Sequence, residues 1–247
     1  MAQTSDSILV EPGKQLPQLV TVRAESDGNS SDVTIHYLLF APKKYEPNGK
    51  KWPLMLFLHG YGECGNGTSE LDRVKIHGPP GFVDSRPDFP FVVVTPQCIP
   101  PRYDLKEIAR AWKSEQLIQL LDHVAKNLNI DPTRVYATGL SMGAFGTWRL
   151  VAAHPERFAA ALPICGGGSK PEAMAKSLRR VPIWTFHGAR DTVVPLSMSQ
   201  EMVDAVRRAG GDVKLTVYPD VEHNSWKQTY DNPAVYDWLL SHRGPLQ

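Results

Sequence analysis

Short apolar runs alternate with amphipathic stretches along most of this chain. Runs that are almost continuously apolar are typical of strands buried on both faces of a sheet. Two earlier segments, residues 19–22 and 33–40, alternate apolar and polar positions, which predicts antiparallel strands. The continuous runs lie at residues 53–58, 91–94, 134–138, 161–165, 182–186 and 213–218.

Helical periodicity separates most of these runs. One apolar stripe covers residues 117–128, and we expect Asp131-Pro132 to stop that helix. A second stripe covers residues 198–209 and is closed by Gly210-Gly211, and a final amphipathic helix is expected over residues 233–241. This alternation predicts an α/β fold with a mostly parallel central sheet of about eight strands and helices on both faces. The active site of such a sheet lies at the carboxyl ends of its strands.

The length of 247 residues allows one large α/β domain or two small ones. Hydrophobic residues make up 42% and charged residues 21%, which is ordinary for a globular protein. With no internal repeat, we predict a single domain over residues 1–247, of which residues 1–30 are an N-terminal extension and edge strand. Only residues 166–181 separate two consecutive strands late in the chain, too few for a large cap domain.

Charge and hydropathy exclude several classes of partner. The formal net charge of +1 predicts no binding of nucleic acid or of an anionic membrane. No apolar stretch approaches the roughly 20 residues that span a bilayer. The start, Met1 to Asp6, has neither a basic segment nor an apolar core, so we expect no signal peptide and a cytoplasmic location by default. A secreted or periplasmic mature form with its leader removed stays open, as does the choice between monomer and homodimer.

Three cysteines are present, Cys64, Cys98 and Cys165. They are too few for a disulfide scaffold and lack metal-site spacing, so we expect no metal and no cofactor. Free thiols are the favoured interpretation. A Cys64–Cys98 bridge is the alternative, because both residues follow strands that we expect to lie side by side.

The strongest chemical motif is Gly139-Leu140-Ser141-Met142-Gly143, between a predicted strand and a predicted helix. A serine on such a sharp turn has a strained backbone, so the residues two before and two after it must lack bulk. The following helix N-terminus favours negative charge near the serine. We therefore predict that Ser141 is a catalytic nucleophile.

A nucleophilic serine needs a histidine base, which follows it in the chain order of this motif. Four of the eight histidines come after Ser141. His154 ends the nucleophile's own helix, His187 closes a strand, and His242 lies on the terminal helix. His223 lies in a loop just past the last strand, so we predict that it is the base.

The base needs a carboxylate to orient it. Asp191 lies in the loop after the preceding strand, where this chain order places the acid. Asp220 and Glu222 compete for the role, but both share a loop with His223. We expect Glu222 to point away from its neighbour and Asp220 to cap a turn, so Asp191 is the predicted acid.

An oxyanion hole requires two backbone N–H groups aimed at the tetrahedral intermediate. One is expected from Met142, directly after the nucleophile. The other is expected from the glycine-rich loop at residues 59–67, where Tyr61 is the first candidate and Gly62 the second.

These motifs resemble the α/β-hydrolase superfamily over residues 33–242. Within it, the chain is similar to small bacterial esterases related to feruloyl esterases, polyhydroxybutyrate depolymerases and dienelactone hydrolase, and to predicted peptidases of phospholipase/carboxylesterase-like type. The resemblance implies the α/β-hydrolase fold and a Ser141–His223–Asp191 triad. It is carried by residues 58–63, 77–80, 95–98, 139–143, 154–158, 163–168 and 187–191.

The predicted function is a serine carboxylesterase acting on small or carbohydrate-linked carboxylic esters. A serine peptidase and a non-catalytic binding protein on the same scaffold are the alternatives. The insertion at residues 65–90 is the expected rim of an open cleft. Candidate pocket residues are Gly62, Glu63, Phe82 and Trp226.

Overall fold

The apolar runs form one eight-stranded sheet in a computed structural model that describes residues 7–26 and 29–245. Its spatial order is β1-β2-β4-β3-β5-β6-β7-β8. Strand β2 pairs antiparallel with β1 and β4, and all other neighbours are parallel. The predicted fold class is confirmed. The strands are β1 (Gln15–Ser26), β2 (Asn29–Phe40), β3 (Trp52–Leu58), β4 (Val92–Pro96), β5 (Ile130–Leu140), β6 (Ala160–Ile164), β7 (Ile183–Gly188) and β8 (Val213–Tyr218).

Burial on both faces explains the continuous apolar runs. In β3, Leu54 and Leu56 belong to one core cluster, whereas the intervening Met55 and Phe57 belong to another. Because side chains of a strand alternate between faces, each face carries its own core. Helices α2 to α5 pack into the first core and α7 into the second. The helices are α1 (Leu105–Ile108), α2 (Ser114–Asn127), α3 (Met142–Ala153), α4 (Pro171–Leu178), α5 (Leu196–Arg208), α6 (Ser225–Tyr230) and α7 (Pro233–Leu240).

The expected stop of the first helical stripe is wrong. Helix α2 ends at Asn127, and Asp131 and Pro132 lie inside β5. Asp131 accepts hydrogen bonds from the backbone and hydroxyl of Thr133, at 3.0 and 2.7 Å. Since proline is tolerated near the start of a strand, this local turn feeds the chain into the sheet instead of ending the helix.

The N-terminal part of the chain supplies the edge of the sheet, since β1 is a terminal strand in the sheet order. Residues 1–6, on which the leader prediction depends, and residues 27–28 lie outside the described residues. None of the helices in the described ranges has the length and apolar character needed to cross a membrane. The single-domain assignment stays a prediction.

No large cap domain was expected between β6 and β7, and the connection there is short. Between β6 and β7 the chain forms only the eight-residue helix α4. The insertion before β4 folds into three short 3-10 helices, at Leu71–Lys75, Pro79–Gly81 and Val83–Ser85. The site edge of the sheet therefore stays open.

All three cysteines are free thiols. Cys64 and Cys98 follow the neighbouring strands β3 and β4, as expected, and the Cys98 thiol donates to the carbonyl of Ile99 at 3.2 Å. The alternative disulfide between them is not formed.

Candidate active site

Ser141 is the single residue between strand β5 and helix α3. Strand β5 ends at Leu140 and α3 begins at Met142. The backbone of Ser141 has φ 51° and ψ −115°, a conformation that non-glycine residues rarely adopt. Its N–H donates to the carbonyl of Ile164 in β6 at 2.9 Å, which holds the strained turn at the sheet edge.

The two glycines of the motif are required by contact with backbone. A Cβ atom at Gly139 would lie 2.6 Å from the carbonyl oxygen of Gly143. A Cβ at Gly143 would overlap the carbonyl oxygen of Leu58, the last residue of β3, and would lie 2.8 Å from that of His59. The chain leaving β3 is therefore packed directly against the first turn of α3.

Ser141, His223 and Asp191 form one line of hydrogen bonds. The Ser141 Oγ lies 2.9 Å from Nε2 of His223. The other ring nitrogen, Nδ1, lies 2.7 Å from Oδ2 of Asp191. Since the carboxylate can only accept, Nδ1 carries the proton and Nε2 presents a lone pair to the serine hydroxyl.

The Asp191 carboxylate is fully buried, yet every contact it makes is with a donor. Its Oδ1 accepts from the N–H groups of Val193 and Val194, both at 2.9 Å. Nε2 of the buried His187 lies 3.1 Å from Oδ2. Burial by itself raises the pKa of Asp191, but the hydrogen bonds from His187, His223 and Val194 outweigh it and hold the pKa below its usual range.

His187, predicted only to close a strand, supports the Asp191 carboxylate. Its Nε2 lies 2.9 Å from the carbonyl of Val194, and its Nδ1 lies 2.7 Å from Oγ of Ser199. The ring therefore connects the Asp191 loop to α5. Its position four residues before Asp191 is the only sequence signal for this contact.

The competing residues lie elsewhere. Asp220 is exposed and pairs with Arg190 at 2.7 Å, rather than capping a turn. Glu222 is exposed. His154 lies 2.9 Å from Glu115, and Nδ1 of His242 lies 2.7 Å from the carbonyl of Trp238.

The two segments expected to form an oxyanion hole meet beside Ser141. Met142 is the first residue of α3, where an N–H group has no acceptor within the helix. Tyr61 begins a 3-10 turn, Tyr61–Glu63, directly after the Leu58-His59 segment that packs on Gly143. Tyr61 lines the same cavity as Ser141.

His59 and Gln97 hold this loop in place. Nδ1 of the fully buried His59 donates to the Gly60 carbonyl at 2.6 Å, and its Nε2 accepts from the N–H of Cys98 at 3.0 Å. The Gln97 side chain donates to the Glu63 carbonyl at 3.0 Å and accepts from the N–H of Gly67 at 2.8 Å. Neither role was predicted from the residue type alone.

The serine opens into a cavity of about 440 Å³. It is lined by Gly62, Glu63 and Trp226 among the predicted pocket residues, and the Trp226 ring lies 5.2 Å from that of His223. Phe82 does not line this cavity. Its ring packs against Phe89 at 5.3 Å and also against Tyr236, so it belongs to an aromatic cluster under the rim.

One set of side chains in the described part of the chain has the spacing to hold a metal ion. Potential ligand atoms of Cys165, Asp191 and His223 lie within 4.8 Å of one another. Oδ2 of Asp191 and Nδ1 of His223 already hydrogen-bond to each other. A cation bound here would replace the contact that orients His223.

The family model of phospholipase/carboxylesterase matches residues 43–234, which include all three residues of the hydrogen-bonded line. The chain belongs to this family. The match confirms the α/β-hydrolase superfamily that was predicted from the sequence.

Individual relatives are similar over part of their length. Poly(3-hydroxyalkanoate) depolymerase C of Paucimonas lemoignei is 52% identical over 160 residues, 51% of this chain and 38% of the relative. The bifunctional acetylxylan esterase/xylanase XynS20E of Neocallimastix patriciarum is 29% identical over 200 residues, 81% of this chain and 27% of the relative. The chain thus spans roughly a third of the length of these relatives.

Solved structures agree on the fold. A thermostable esterase superposes with a TM-score of 0.70 at 32% identity, over 91% of this chain and 63% of that one. A dipeptidyl aminopeptidase IV from Bacteroides ovatus superposes with a TM-score of 0.67 at 16% identity, over 92% of this chain and 36% of that one. The second likeness concerns the fold alone.

Gly143→Ala should destabilise the protein, because the added methyl group overlaps the Leu58 carbonyl. We expect the free energy of unfolding to fall by about 2–3 kcal/mol in urea denaturation. Gly62→Ala is the matched control, since its Cβ meets no atom within 4 Å and should change stability by less than about 0.5 kcal/mol. Equal losses in the two variants would contradict the contact.

Stability should also depend on pH through His59. Burial lowers the pKa of His59 to about 4, although its hydrogen bond to Gly60 opposes the shift. The unfolded chain therefore takes up this proton first as pH falls. The contribution of His59 is complete above pH 6.5 and is lost toward pH 4, by about 3 kcal/mol in total.

Urea denaturation at a series of pH values measures this loss. His59→Gln keeps an acceptor for the Cys98 N–H but cannot titrate, so its unfolding free energy should fall less steeply over the same range. If the unfolding free energies of the wild type and the variant fell equally steeply with pH, His59 would not be the group responsible.

Proposed function

We propose that this chain is a serine carboxylesterase that hydrolyses small or carbohydrate-linked carboxylic esters through an acyl-enzyme on Ser141. The line Ser141–His223–Asp191, with contacts of 2.9 and 2.7 Å, carries the proposal. It joins a hydroxyl, an imidazole lone pair and a buried carboxylate in the order that nucleophilic catalysis requires.

In the first half-reaction, Ser141 Oγ attacks the ester carbonyl carbon while its proton passes to Nε2 of His223. The carbonyl oxygen becomes an oxyanion, which accepts hydrogen bonds from the N–H groups of Tyr61 and Met142. The intermediate then expels the alcohol, whose oxygen takes the proton from His223 Nε2. The acyl group is left esterified to Ser141.

In the second half-reaction, water gives a proton to His223 Nε2 and attacks the acyl carbon. The second intermediate collapses, the acyl–Ser141 bond breaks, and the proton returns to Oγ as the carboxylic acid leaves. Asp191 stays ionised throughout, because its pKa is held below the usual range, and it stabilises the positive imidazole in both steps.

The open cleft supports the preference for small or carbohydrate-linked esters. Only the eight-residue α4 lies between β6 and β7, so no long apolar lid surrounds an acyl chain. Two relatives are named for poly(3-hydroxyalkanoate) depolymerisation and acetylxylan ester hydrolysis. Their names favour esters of hydroxylated compounds over triglycerides.

Ser141→Ala should lower kcat on p-nitrophenyl acetate by about 10⁴-fold or more, because no nucleophile remains, while the melting temperature stays close to that of the wild type. A panel of p-nitrophenyl acetate, p-nitrophenyl butyrate, methyl ferulate, an acetylated sugar and a peptide p-nitroanilide then tests the reaction class. We expect the wild type to cleave esters but not the anilide. Undiminished turnover by Ser141→Ala would overturn the assignment of Ser141 as the nucleophile. Preferred cleavage of the anilide by the wild type would establish the peptidase alternative.

Asp191→Asn should lower kcat by about 10³–10⁴-fold, since an amide cannot stabilise the imidazolium. Glu222→Gln is the control, because Glu222 is exposed next to His223 and should retain activity within about twofold. Steady-state kinetics on p-nitrophenyl acetate compares the two. A larger loss of kcat in Glu222→Gln than in Asp191→Asn would instead identify Glu222 as the acid.

A further inference from the structure

A buried carboxyl group in the wall of the Ser141 cavity takes no part in the steps above. The Glu63 side chain is only 6% exposed and lines the same cavity as Ser141 and His223. Its Oε2 atom is buried and has no hydrogen-bond partner among the described residues. Leaving a buried polar atom unpaired costs free energy, so a carboxyl group that is kept in the cavity wall at this cost indicates a role for it.

The other carboxyl oxygen faces His77. Oε1 of Glu63 lies 3.6 Å from Nε2 of His77, within ion-pair distance. Burial raises the pKa of Glu63 above its usual range, and the His77 charge and the backbone N–H groups of Gly60 and Glu63 offset this only in part. The pair thus places polar atoms in a cavity whose wall also contains Leu140 and Phe145.

His77 is both accessible and held in place. Its side chain is 37% exposed, and its ring lies 5.2 Å from that of Trp226, which in turn packs on His223. The next residue, Gly78, has φ 70°, and a Cβ there would lie 2.5 Å from the Phe57 ring. Because this turn is fixed against the core, the imidazole is positioned before a substrate arrives.

We propose that Glu63 and His77 form a subsite that binds a hydroxyl group of the substrate next to the scissile ester. His77 is the specificity-determining residue that contacts the hydroxyl, and Glu63 is a positioning residue that orients the His77 ring. The subsite rests on the proposed esterase function and specifies its substrate class, esters of hydroxylated compounds.

Hydrogen-bonding capacity explains why a hydroxyl fits. A hydroxyl both donates and accepts, so it can bond to the exposed imidazole of His77 whether the ring nitrogen that faces it carries a proton or a lone pair. An apolar group offers the His77 ring no hydrogen bond. The hydroxyl belongs either to the alcohol part of the ester, as in a sugar, or to the acyl part, as in a hydroxy acid.

Two matched pairs of esters separate these sources, with hydrolysis followed by acid release in a pH-stat. Ethyl acetate and 2-hydroxyethyl acetate differ by one hydroxyl on the alcohol side. Methyl butyrate and methyl 3-hydroxybutyrate differ by one hydroxyl on the acyl side. We expect the wild type to prefer the hydroxylated member of one pair by about tenfold or more in kcat/KM, mostly through a lower KM.

The variants test whether this preference comes from His77 and Glu63. His77→Phe keeps a ring against Trp226 but removes both nitrogens, and should abolish the preference. Glu63→Gln keeps the size of the side chain and should lower the preference by about threefold or more. His154→Phe is the control, because His154 pairs with Glu115 away from the cavity, and it should leave the preference as in the wild type.

Hydrolysis of both members of each pair at equal rates by the wild type would overturn the subsite while leaving the esterase proposal intact. So would a preference that survives in His77→Phe. Absence of Ser141-dependent hydrolysis of every ester would instead overturn the proposed function, and the subsite with it.

Discussion

The chain leaving β3 and the first turn of α3 are in backbone contact, and the site is built around that contact. Gly143 has no side chain, so the carbonyl oxygens of Leu58 and His59 pack directly on the helix start. This brings the loop after β3 beside the strained turn that carries Ser141. Any side chain at Gly143 would separate the serine from the segment that is proposed to stabilise its oxyanion. The elbow and the oxyanion loop therefore depend on the same close approach.

A second constraint is that the buried carboxylate of Asp191 needs hydrogen-bond donors around it. Asp191 is removed from water, so its carboxylate is tolerated only because two backbone N–H groups and two imidazoles surround it. These donors come from its own loop, from the end of β7 and from the loop after β8. Orientation of His223 is thus coupled to the packing of β7 and β8. Oε2 of Glu63 is the contrasting case, a buried acceptor with no hydrogen-bond partner among the described residues.

Most elements were predictable because burial leaves a regular trace in the residue order. The run at residues 213–218 coincides with β8, and the stripes at residues 198–209 and 233–241 match α5 and α7 to within two residues at each end. The prediction that Asp131-Pro132 ends the first helix was wrong, because the residue order alone does not distinguish a proline near the start of a strand from one that follows a helix. The side chain of Phe82 lies outside the Ser141 cavity, because its ring packs against the rings of Phe89 and Tyr236.

The sequence by itself determined the fold class and the motif around Ser141, and it singled out His223 and Asp191 as partners. These follow from local periodicity, glycine spacing and chain order, all of which are one-dimensional. Only the tertiary structure decided the contacts of His187, His59 and Gln97, and the pairing of Glu63 with His77. Those contacts join residues from different strands and loops, and a polar side chain reveals its partner only when packing has removed it from water.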